Sequence, residues 1–226
     1  MSDALKPLIE AAANGPLTRD QAARAFEILF EGEATPSQIG GFLMALRTRG
    51  ETVDEYAAAA SVMRAKCHAV KAPAGAMDIV GTGGDGSNSV NVSTMAAVVT
   101  AAAGAPVCEH GNRSASSKTG AADVLELLGV AIEQTPEGVA ACVREAGIGF
   151  CFAPGFHPAF RYAGAPRREM GVPTVFNLLG PMANPGCVRN QLIGVADPAY
   201  AAPMLGALER QGVTRAWVVH GAGLDE

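Results

Sequence analysis

The feature that most constrains the fold of this chain is a change in its hydrophobic pattern near residue 73. Before that point, apolar residues recur at helical spacing only. After it, short apolar segments predict strands, and stretches with helical spacing predict helices between them. The predicted strands cover residues 77–80, 105–108, 148–152 and 215–220, and the predicted helices cover residues 93–103, 120–128 and a segment from residue 135. This alternation is typical of a parallel sheet with helices on its faces.

We therefore predict an α/β fold with two parts. A small N-terminal helical domain covers residues 1–72, and a larger, incomplete, mainly parallel α/β domain covers residues 73–226. The turn Pro73-Ala74-Gly75 marks the boundary between them. Capping boxes, in which a Thr hydroxyl and a Gln or Glu side chain bond each other's backbone amides, predict three of the four helices of the first domain, after Thr18, Thr35 and Thr52. The apolar segment 172–186 is predicted to pack back on this domain.

The composition narrows the classes of partner. Of the 226 residues, 49% are hydrophobic and 17% are charged, which is typical of a globular chain. The net charge of −5, without basic runs, argues against a nucleic-acid partner. The longest apolar run, residues 95–108, is interrupted by Gly104 and Pro106, so we expect no membrane span. Five cysteines without a CxxC pair indicate reduced thiols, and we expect a cytoplasmic protein without a signal peptide.

A glycine-rich loop follows the first predicted strand. It reads GTGGDG from Gly81 to Gly86 and continues through a stretch rich in Ser and Asn to Thr94. Glycines let backbone amides approach a phosphate, because no Cβ stands in the way. Ser93 or Thr94 is expected to cap the next helix, whose positive end would face the same point. We interpret this loop as a phosphate-binding loop for the diphosphate of an activated sugar.

The same glycines also satisfy the GxGxxG pattern of dinucleotide-binding folds. In that alternative, an acid near the end of the second strand binds the ribose hydroxyls, and Glu109 stands at about that place. The pattern alone is weak evidence. Here the helix does not begin at the third glycine, because a polar stretch comes first, and this disfavours a dinucleotide.

A second polar loop follows the second predicted strand, from Glu109 to Gly120. It contains two cations, four hydroxyl side chains, an amide and two glycines, and a helix comes after it. It is not a Walker A loop, since Ser116 and Ser117 stand where that motif has Gly and Lys. Two anion-binding loops at neighbouring strand ends predict a ligand with phosphates at both ends. The alternative is an ordinary polar surface loop.

These motifs together resemble the anthranilate phosphoribosyltransferase family. The resemblance rests on GTGGDG and NVST in residues 81–94, HGNRSASSKTGAADVLELLG in residues 110–129, FAPGFHPAF in residues 152–160, the segment 167–185 and HGAGLDE in residues 220–226, in family order over the whole chain. It implies an enzyme of tryptophan biosynthesis that joins the phosphoribosyl group of 5-phosphoribosyl 1-diphosphate to the amine of anthranilate. It also implies a homodimer formed through the helical domain.

The resemblance also implies the site residues. Those for 5-phosphoribosyl 1-diphosphate are Gly81, Gly84, Asp85, Ser89, Asn91, Val92, Ser93, Thr94, Glu109, His110, Gly111, Asn112, Arg113, Ser114, Ala115, Ser116, Ser117 and Ala121. Those for anthranilate are Gly81, Asn112 and Arg167, and those for two Mg²⁺ ions are Ser93, Asp225 and Glu226. No covalent nucleophile is implied, because the reaction is a displacement at the anomeric carbon helped by positioning and charge neutralisation. His110 and His157 are left open between contact with substrate and a structural role.

Three features depart from the family pattern. Glu109 stands where the family usually has Lys, and this reversed charge is expected to weaken binding of the polyanionic substrate. In the alternative, Glu109 turns away and Arg113 or Lys118 serves instead. Ala121 stands where a serine is common, a minor loss. Family members continue beyond Glu226, so the given chain is expected to have little or no activity.

Two other functions follow as alternatives. One is a paralogue that binds 5-phosphoribosyl 1-diphosphate without turning it over. The other is a pyrimidine nucleoside phosphorylase of related fold, which the wording of the phosphate loops disfavours.

Overall fold

The computed structural model describes residues 3–84, 90–113 and 119–221. Its first part is a bundle of four helices: α1 (Lys6–Asn14), α2 (Arg19–Phe30), α3 (Pro36–Arg49) and α4 (Val53–Ala65). Thr18, Thr35 and Thr52 cap α2, α3 and α4, and each forms both hydrogen bonds of its capping box. The three predicted helix starts are confirmed. They could be read from the sequence because a capping box depends on side chains only three residues apart.

The second part alternates strands and helices. Its elements are β1 (Met77–Gly81), α5 (Val92–Ala102), β2 (Val107–Gly111), α6 (Ala121–Leu127), α7 (Pro136–Ala146), β3 (Ile148–Phe152), α8 (Ala153–Phe156), α9 (Arg161–Met170), α10 (Phe176–Met182), β4 (Asn190–Gly194), α11 (Ala201–Arg210) and β5 (Arg215–Val219). The strands form a parallel sheet in the order β3-β2-β1-β4-β5. The predicted α/β fold with an N-terminal helical part is confirmed.

Strand β4 was not predicted, although it pairs with β1 over five residues. It begins with Asn190 and Gln191, so its sequence lacks the apolar run by which the other strands were found. Gln191 is nonetheless buried, and β4 is paired on both edges, with β1 and with β5. The predicted cap of α5 was also wrong. Asn91, not Ser93 or Thr94, caps this helix, and its side chain accepts a hydrogen bond from the Thr94 amide.

The largest hydrophobic core lies between the bundle, α10 and α11. The Phe176 ring lies 6.3 Å from Phe26 and 6.0 Å from Phe30 between centroids, and Phe26 lies 5.5 Å from Phe42. Residues from both ends of the chain thus share one core. The boundary at residue 72 and dimerisation through the helical part stay predictions.

Strands β1 and β2 diverge towards their carboxyl ends. They share a single register pair, Met77 with Val107, whereas β2 pairs with β3 over five residues. The side chain of Asp78 lies in the gap, where Oδ1 accepts a hydrogen bond from the His110 amide at 3.1 Å. The loops after β1 and β2 therefore begin at neighbouring strand ends, at the sheet edge where parallel folds bind ligands.

Within the described ranges, no helix is both long and apolar enough to cross a membrane.

Candidate active site at the carboxyl edge of the sheet

The loop after β1 begins with two glycines that need their special backbone freedom. Gly83 and Gly84 have φ values of 66° and 87°, which other residues adopt only with strain. Before them, the Thr82 amide donates to the Gly194 carbonyl at 3.0 Å, and the Thr82 hydroxyl accepts from the Ala196 amide at 3.1 Å. The loop is therefore anchored to β4 at its start. The predicted ligands Asp85 and Ser89 lie outside the described residues.

The first turn of α5 lies at the other end of this loop. Asn91 Oδ1 accepts from the Thr94 amide at 3.2 Å and from the Ser93 hydroxyl at 3.3 Å. Val92 and Ser93 are half-buried. A helix N-terminus carries unsatisfied amides and a partial positive charge, so this turn is suited to an anion. The structure places Gly81, Gly84, Asn91, Val92, Ser93 and Thr94 around one strand–loop–helix junction.

The loop after β2 begins against β3 and α6. A Cβ on Gly111 would lie 2.9 Å from the Phe150 ring, so only glycine fits there. Asn112 is exposed, and its carbonyl accepts from the Ala122 amide at 3.3 Å, next to the half-buried Ala121. The loop therefore leads directly into α6. The predicted ligands Ser114, Ala115, Ser116 and Ser117 lie outside the described residues.

Arg113 is already paired. Its guanidinium bonds Asp123 at 3.0 Å and Glu126 at 2.8 and 3.1 Å, and it lies 5.5 Å from the centre of the Phe152 ring. Both acids are on α6. These exposed bonds are weak enough to exchange with a ligand. Arg113 is thus available only in competition with Asp123 and Glu126.

Glu109 is buried beneath α5, with 2% of its surface exposed. Its Oε1 accepts the hydroxyl proton of Thr94 at 2.8 Å, and its Oε2 has no hydrogen-bond partner within the described ranges. Burial raises the pKa of Glu109 to about 7, and the bond from Thr94 partly opposes this rise. The carboxylate therefore acts on the first turn of α5 from inside the protein and is not part of the exposed loop surface.

The face of the sheet opposite Glu109 carries further buried polar groups that the sequence analysis did not assign. Burial raises the pKa of Asp78 to about 7, and the charge of Glu109 adds to the rise. The side-chain amide of Asn184 donates to the Cys108 backbone carbonyl at 2.8 Å. An acid inside an apolar strand directly before a glycine loop was the available signal for Asp78. These groups fix the β2 backbone that leads into the second loop.

His110 and His157 form a buried pair, with ring centroids 5.0 Å apart. Burial lowers the pKa of His110 to about 3 and that of His157 to about 4, so both rings are neutral at pH 7. A neutral imidazole can donate a hydrogen bond to a phosphate but brings it no positive charge. His110 lies on β2 directly before the second loop, and its contact with the substrate stays a prediction.

Arg167 lies on α9 beside two aromatic rings that also contact each other. Its guanidinium is 5.0 Å from the centre of Phe160 and 5.1 Å from that of Phe176, and one nitrogen lies 3.5 Å from Asn177 Oδ1. Burial lowers its pKa, although the group stays charged at pH 7. A planar cation held by rings keeps its hydrogen-bond fork directed, which suits a carboxylate.

Of the three predicted metal ligands, the structure describes only Ser93, since Asp225 and Glu226 lie outside the described residues. Among residues 3–84, 90–113 and 119–221, no group of three or more His, Cys, Asp or Glu side chains could hold a metal ion. The half-buried Ser93 hydroxyl is a hard oxygen ligand of the type that Mg²⁺ accepts. The described donor thus fits Mg²⁺ as one ligand among others.

Comparisons with known proteins decide the family. The helical bundle domain of the glycosyl transferase family matches residues 2–67, and its a/b domain matches residues 73–226. A relative from Afipia carboxidovorans, named anthranilate phosphoribosyltransferase, is 59% identical over all of this chain and 67% of its own length. The chain belongs to the anthranilate phosphoribosyltransferase family. It spans about two thirds of the length of the relatives it matches.

Solved structures of anthranilate phosphoribosyltransferases share this fold. The enzyme from Thermus thermophilus matches with a TM-score of 0.93 and 46% identity, over 100% of this chain and 68% of that one. The enzyme from Saccharomyces cerevisiae in complex with PRPP and Mg matches with a TM-score of 0.91 and 28% identity, with the same coverages. A yeast complex with 4-fluoroanthranilate has a TM-score of 0.85 and 26% identity, over 99% and 66%. The sequence is thus that of a transferase of tryptophan biosynthesis.

Proposed function

We propose that the site at the carboxyl edge of the sheet transfers the phosphoribosyl group of 5-phosphoribosyl 1-diphosphate to the amine of anthranilate. The observation that carries this proposal is the placement of two loops at neighbouring strand ends, with the first turn of α5 facing one of them. Backbone amides at Gly83 and Gly84 and at the start of α5 suit phosphate oxygens. The yeast complex with PRPP and Mg supports the choice of ligand.

The diphosphate end of the substrate is assigned to the first loop and to α5. Ser93 donates to Asn91 now and could instead bind a phosphate oxygen or a metal ion. The second loop, from Gly111 to the start of α6, is assigned to the phosphoribosyl end. Arg113 would exchange its bonds to Asp123 and Glu126 for bonds to phosphate. The ribose is then assigned to the region between the two loops, which begin at neighbouring strand ends.

Anthranilate is assigned to Arg167 and the exposed side chain of Asn112. Its carboxylate would accept the guanidinium fork that Phe160 and Phe176 hold in place. The yeast complex with 4-fluoroanthranilate supports a site for this class of ligand. Its amine nitrogen then forms a bond to the anomeric carbon while the bond from that carbon to the diphosphate oxygen breaks, and the amine loses a proton.

Mg²⁺ is proposed as the cofactor, with Ser93, Asp225 and Glu226 as ligands and with two ions. When bound, it neutralises the charge that develops on the leaving diphosphate. The side chains of this chain supply the rest by holding the amine and the anomeric carbon in line and by fixing the diphosphate on the α5 turn. A homodimer in the cytoplasm remains part of the proposal.

Calorimetric titration tests the phosphate site directly. The protein with Mg²⁺ is titrated with 5-phosphoribosyl 1-diphosphate and, in parallel, with NAD. Gly84→Ala should lose at least tenfold in affinity for 5-phosphoribosyl 1-diphosphate, because it places a Cβ among the phosphate-binding amides and strains a φ of 87°. Gly104→Ala is the matched control, since its φ of 97° is equally strained but it lies at the other end of α5.

Equal losses in the two variants, or tighter binding of NAD, would contradict the assignment. Turnover is then followed by the consumption of anthranilate. Binding without turnover would favour the second candidate function, a protein that binds 5-phosphoribosyl 1-diphosphate without transferring it. The buried carboxylate of Glu109 under α5 is the observation that favours this candidate.

A further inference from the structure

The hydroxyl of Thr94 has one proton, and the structure commits it to Glu109. The donor and acceptor oxygens lie 2.8 Å apart, and Thr94 and Glu109 are 3% and 2% exposed. A buried ionised carboxylate only accepts hydrogen bonds, so the direction of this bond is set. While Glu109 is charged, Thr94 can offer a ligand only lone pairs and no proton.

The backbone amide of Thr94 is also engaged. It donates to Asn91 Oδ1 at 3.2 Å, as an N-cap requires. Thr94 is the third residue of α5, and it lies in the turn where the helix dipole favours negative charge. Both donors of this residue thus serve groups of the protein itself.

Glu109 also supplies a negative charge to the same turn. Its Oε2 is buried and has no partner among the residues that the structure describes. Besides Thr94, the described group that interacts with it electrostatically is Asp78 on the opposite face of the sheet, itself a buried acid. The charge is therefore not neutralised by a cation within the described ranges. It competes with a bound diphosphate for the partial positive charge of α5.

We propose that Glu109 is a positioning residue, which withholds the Thr94 hydroxyl from the diphosphate and lowers the affinity of the α5 turn for anions. This inference rests on the proposed function and deepens it. Simple repulsion at the surface of the loop would lower the affinity through charge alone. Here part of the lost affinity is assigned to the Thr94 hydroxyl, and that part can be measured separately by substituting Thr94.

The neutral isostere Glu109→Gln changes the direction of the bond. Its amide nitrogen can donate to Thr94 Oγ1, and the Thr94 proton then becomes available to a phosphate oxygen. The same change removes the competing charge. Thr94 should therefore matter more for binding when residue 109 is neutral than when it is charged.

A double-mutant cycle tests this coupling. Dissociation constants for 5-phosphoribosyl 1-diphosphate with Mg²⁺ are measured by calorimetry at pH 8 for the unmodified protein, Glu109→Gln, Thr94→Val and the double variant. Glu109→Gln should bind at least tenfold more tightly. The loss caused by Thr94→Val should be at least fivefold larger in the Glu109→Gln background. Glu10→Gln, exposed on α1, is the control for net charge.

Each result decides something. Equal losses from Thr94→Val in both backgrounds, or no gain from Glu109→Gln beyond that of Glu10→Gln, would overturn the inference and leave the proposed function standing. Absence of binding in every folded variant would overturn the proposed function and the inference with it. Circular dichroism shows which variants fold. If Thr94→Val does not, Thr94→Ser and Thr94→Ala replace it, and Ser should restore the coupling while Ala should not.

Discussion

Two buried glutamates of this chain should respond in opposite ways to the same substitution. Glu109 has one hydrogen bond within the described ranges, from Thr94, and burial raises its pKa from 4.5 to about 7. Glu55 is equally buried, but it accepts from the amides of Leu17 at 2.9 Å and Thr52 at 2.8 Å and from Arg49 at 2.6 Å. We expect Glu109→Gln to stabilise the protein at alkaline pH and Glu55→Gln to destabilise it at every pH.

The magnitude for Glu109 follows from linkage. One pKa unit corresponds to about 1.4 kcal/mol, so a rise from 4.5 to about 7 corresponds to about 3 kcal/mol. The sign follows from proton binding. Between pH 4.5 and about 7 the folded state holds a proton that the unfolded state has lost, so this contribution to stability falls as the pH rises through that window. The neutral Gln avoids this loss, so its gain grows from none at about pH 4 to about 3 kcal/mol at pH 8.

The assay is urea unfolding at pH 5 and pH 8, followed by far-ultraviolet circular dichroism. Trp217 is 74% exposed, so its fluorescence would report the core poorly. The raised pKa of Asp78, like that of Glu109, makes stability fall as the pH rises, whereas the lowered pKa values of His110 and His157 make it rise. Each variant is therefore compared with the unmodified protein at the same pH.

The reasoning about Glu109 would be refuted by a loss of stability in Glu109→Gln at pH 8 or by the same difference at both pH values. Glu55→Gln is the matched control for the substitution itself. It should cost about 3 kcal/mol at both pH values, because it leaves Arg49 without its buried partner. A pH-dependent gain in that variant would show that the argument from burial is wrong.

The remaining predictions concern the site and the core. Arg167→Lys should weaken anthranilate binding about tenfold, since lysine lacks the guanidinium fork that lies against Phe160 and Phe176. Arg168→Lys, at the exposed neighbouring residue, should leave binding unchanged, and fluorescence titration compares the two variants. Gly111→Ala should lower the melting temperature, because its Cβ would meet the Phe150 ring at 2.9 Å; an unchanged melting curve would contradict the contact. Phe176→Ala should cost about 3–5 kcal/mol in urea unfolding, and a single cooperative transition should remain because the core is shared.

Local chemistry explains which parts of the fold could be predicted. Capping boxes at Thr18, Thr35 and Thr52 involve residues three apart, so the sequence is enough to find them. Strand β4 could not be found in this way. Its place in the sheet depends on pairing with β1 and β5, which are distant in the chain. The cap of α5 was assigned wrongly, because Asn91, Ser93 and Thr94 are all residue types that cap helices and the sequence does not choose between them.

The candidate site was predictable in its position and not in its interior. The glycine cluster indicated the loop, and Gly83 and Gly84 adopt the backbone for which glycine is needed. That Glu109 points under α5, and that Asp78 bonds the His110 amide, depends on the face of the sheet that each side chain occupies. Which residues bind each ligand remains a prediction.

The shared core also has a consequence for how the chain is made. The aromatic face of the bundle, with Phe26 and Phe42, is covered by Phe176, which lies 134 residues after Phe42 in the sequence. At a synthesis rate of about 5–20 residues per second, roughly 7 to 27 s pass between the emergence of Phe42 and that of Phe176 from the ribosome. We expect nascent chains stalled before residue 176 to be cleaved by protease within the bundle and chains stalled well after residue 210 to be protected. Equal protection of both would show that the bundle folds alone.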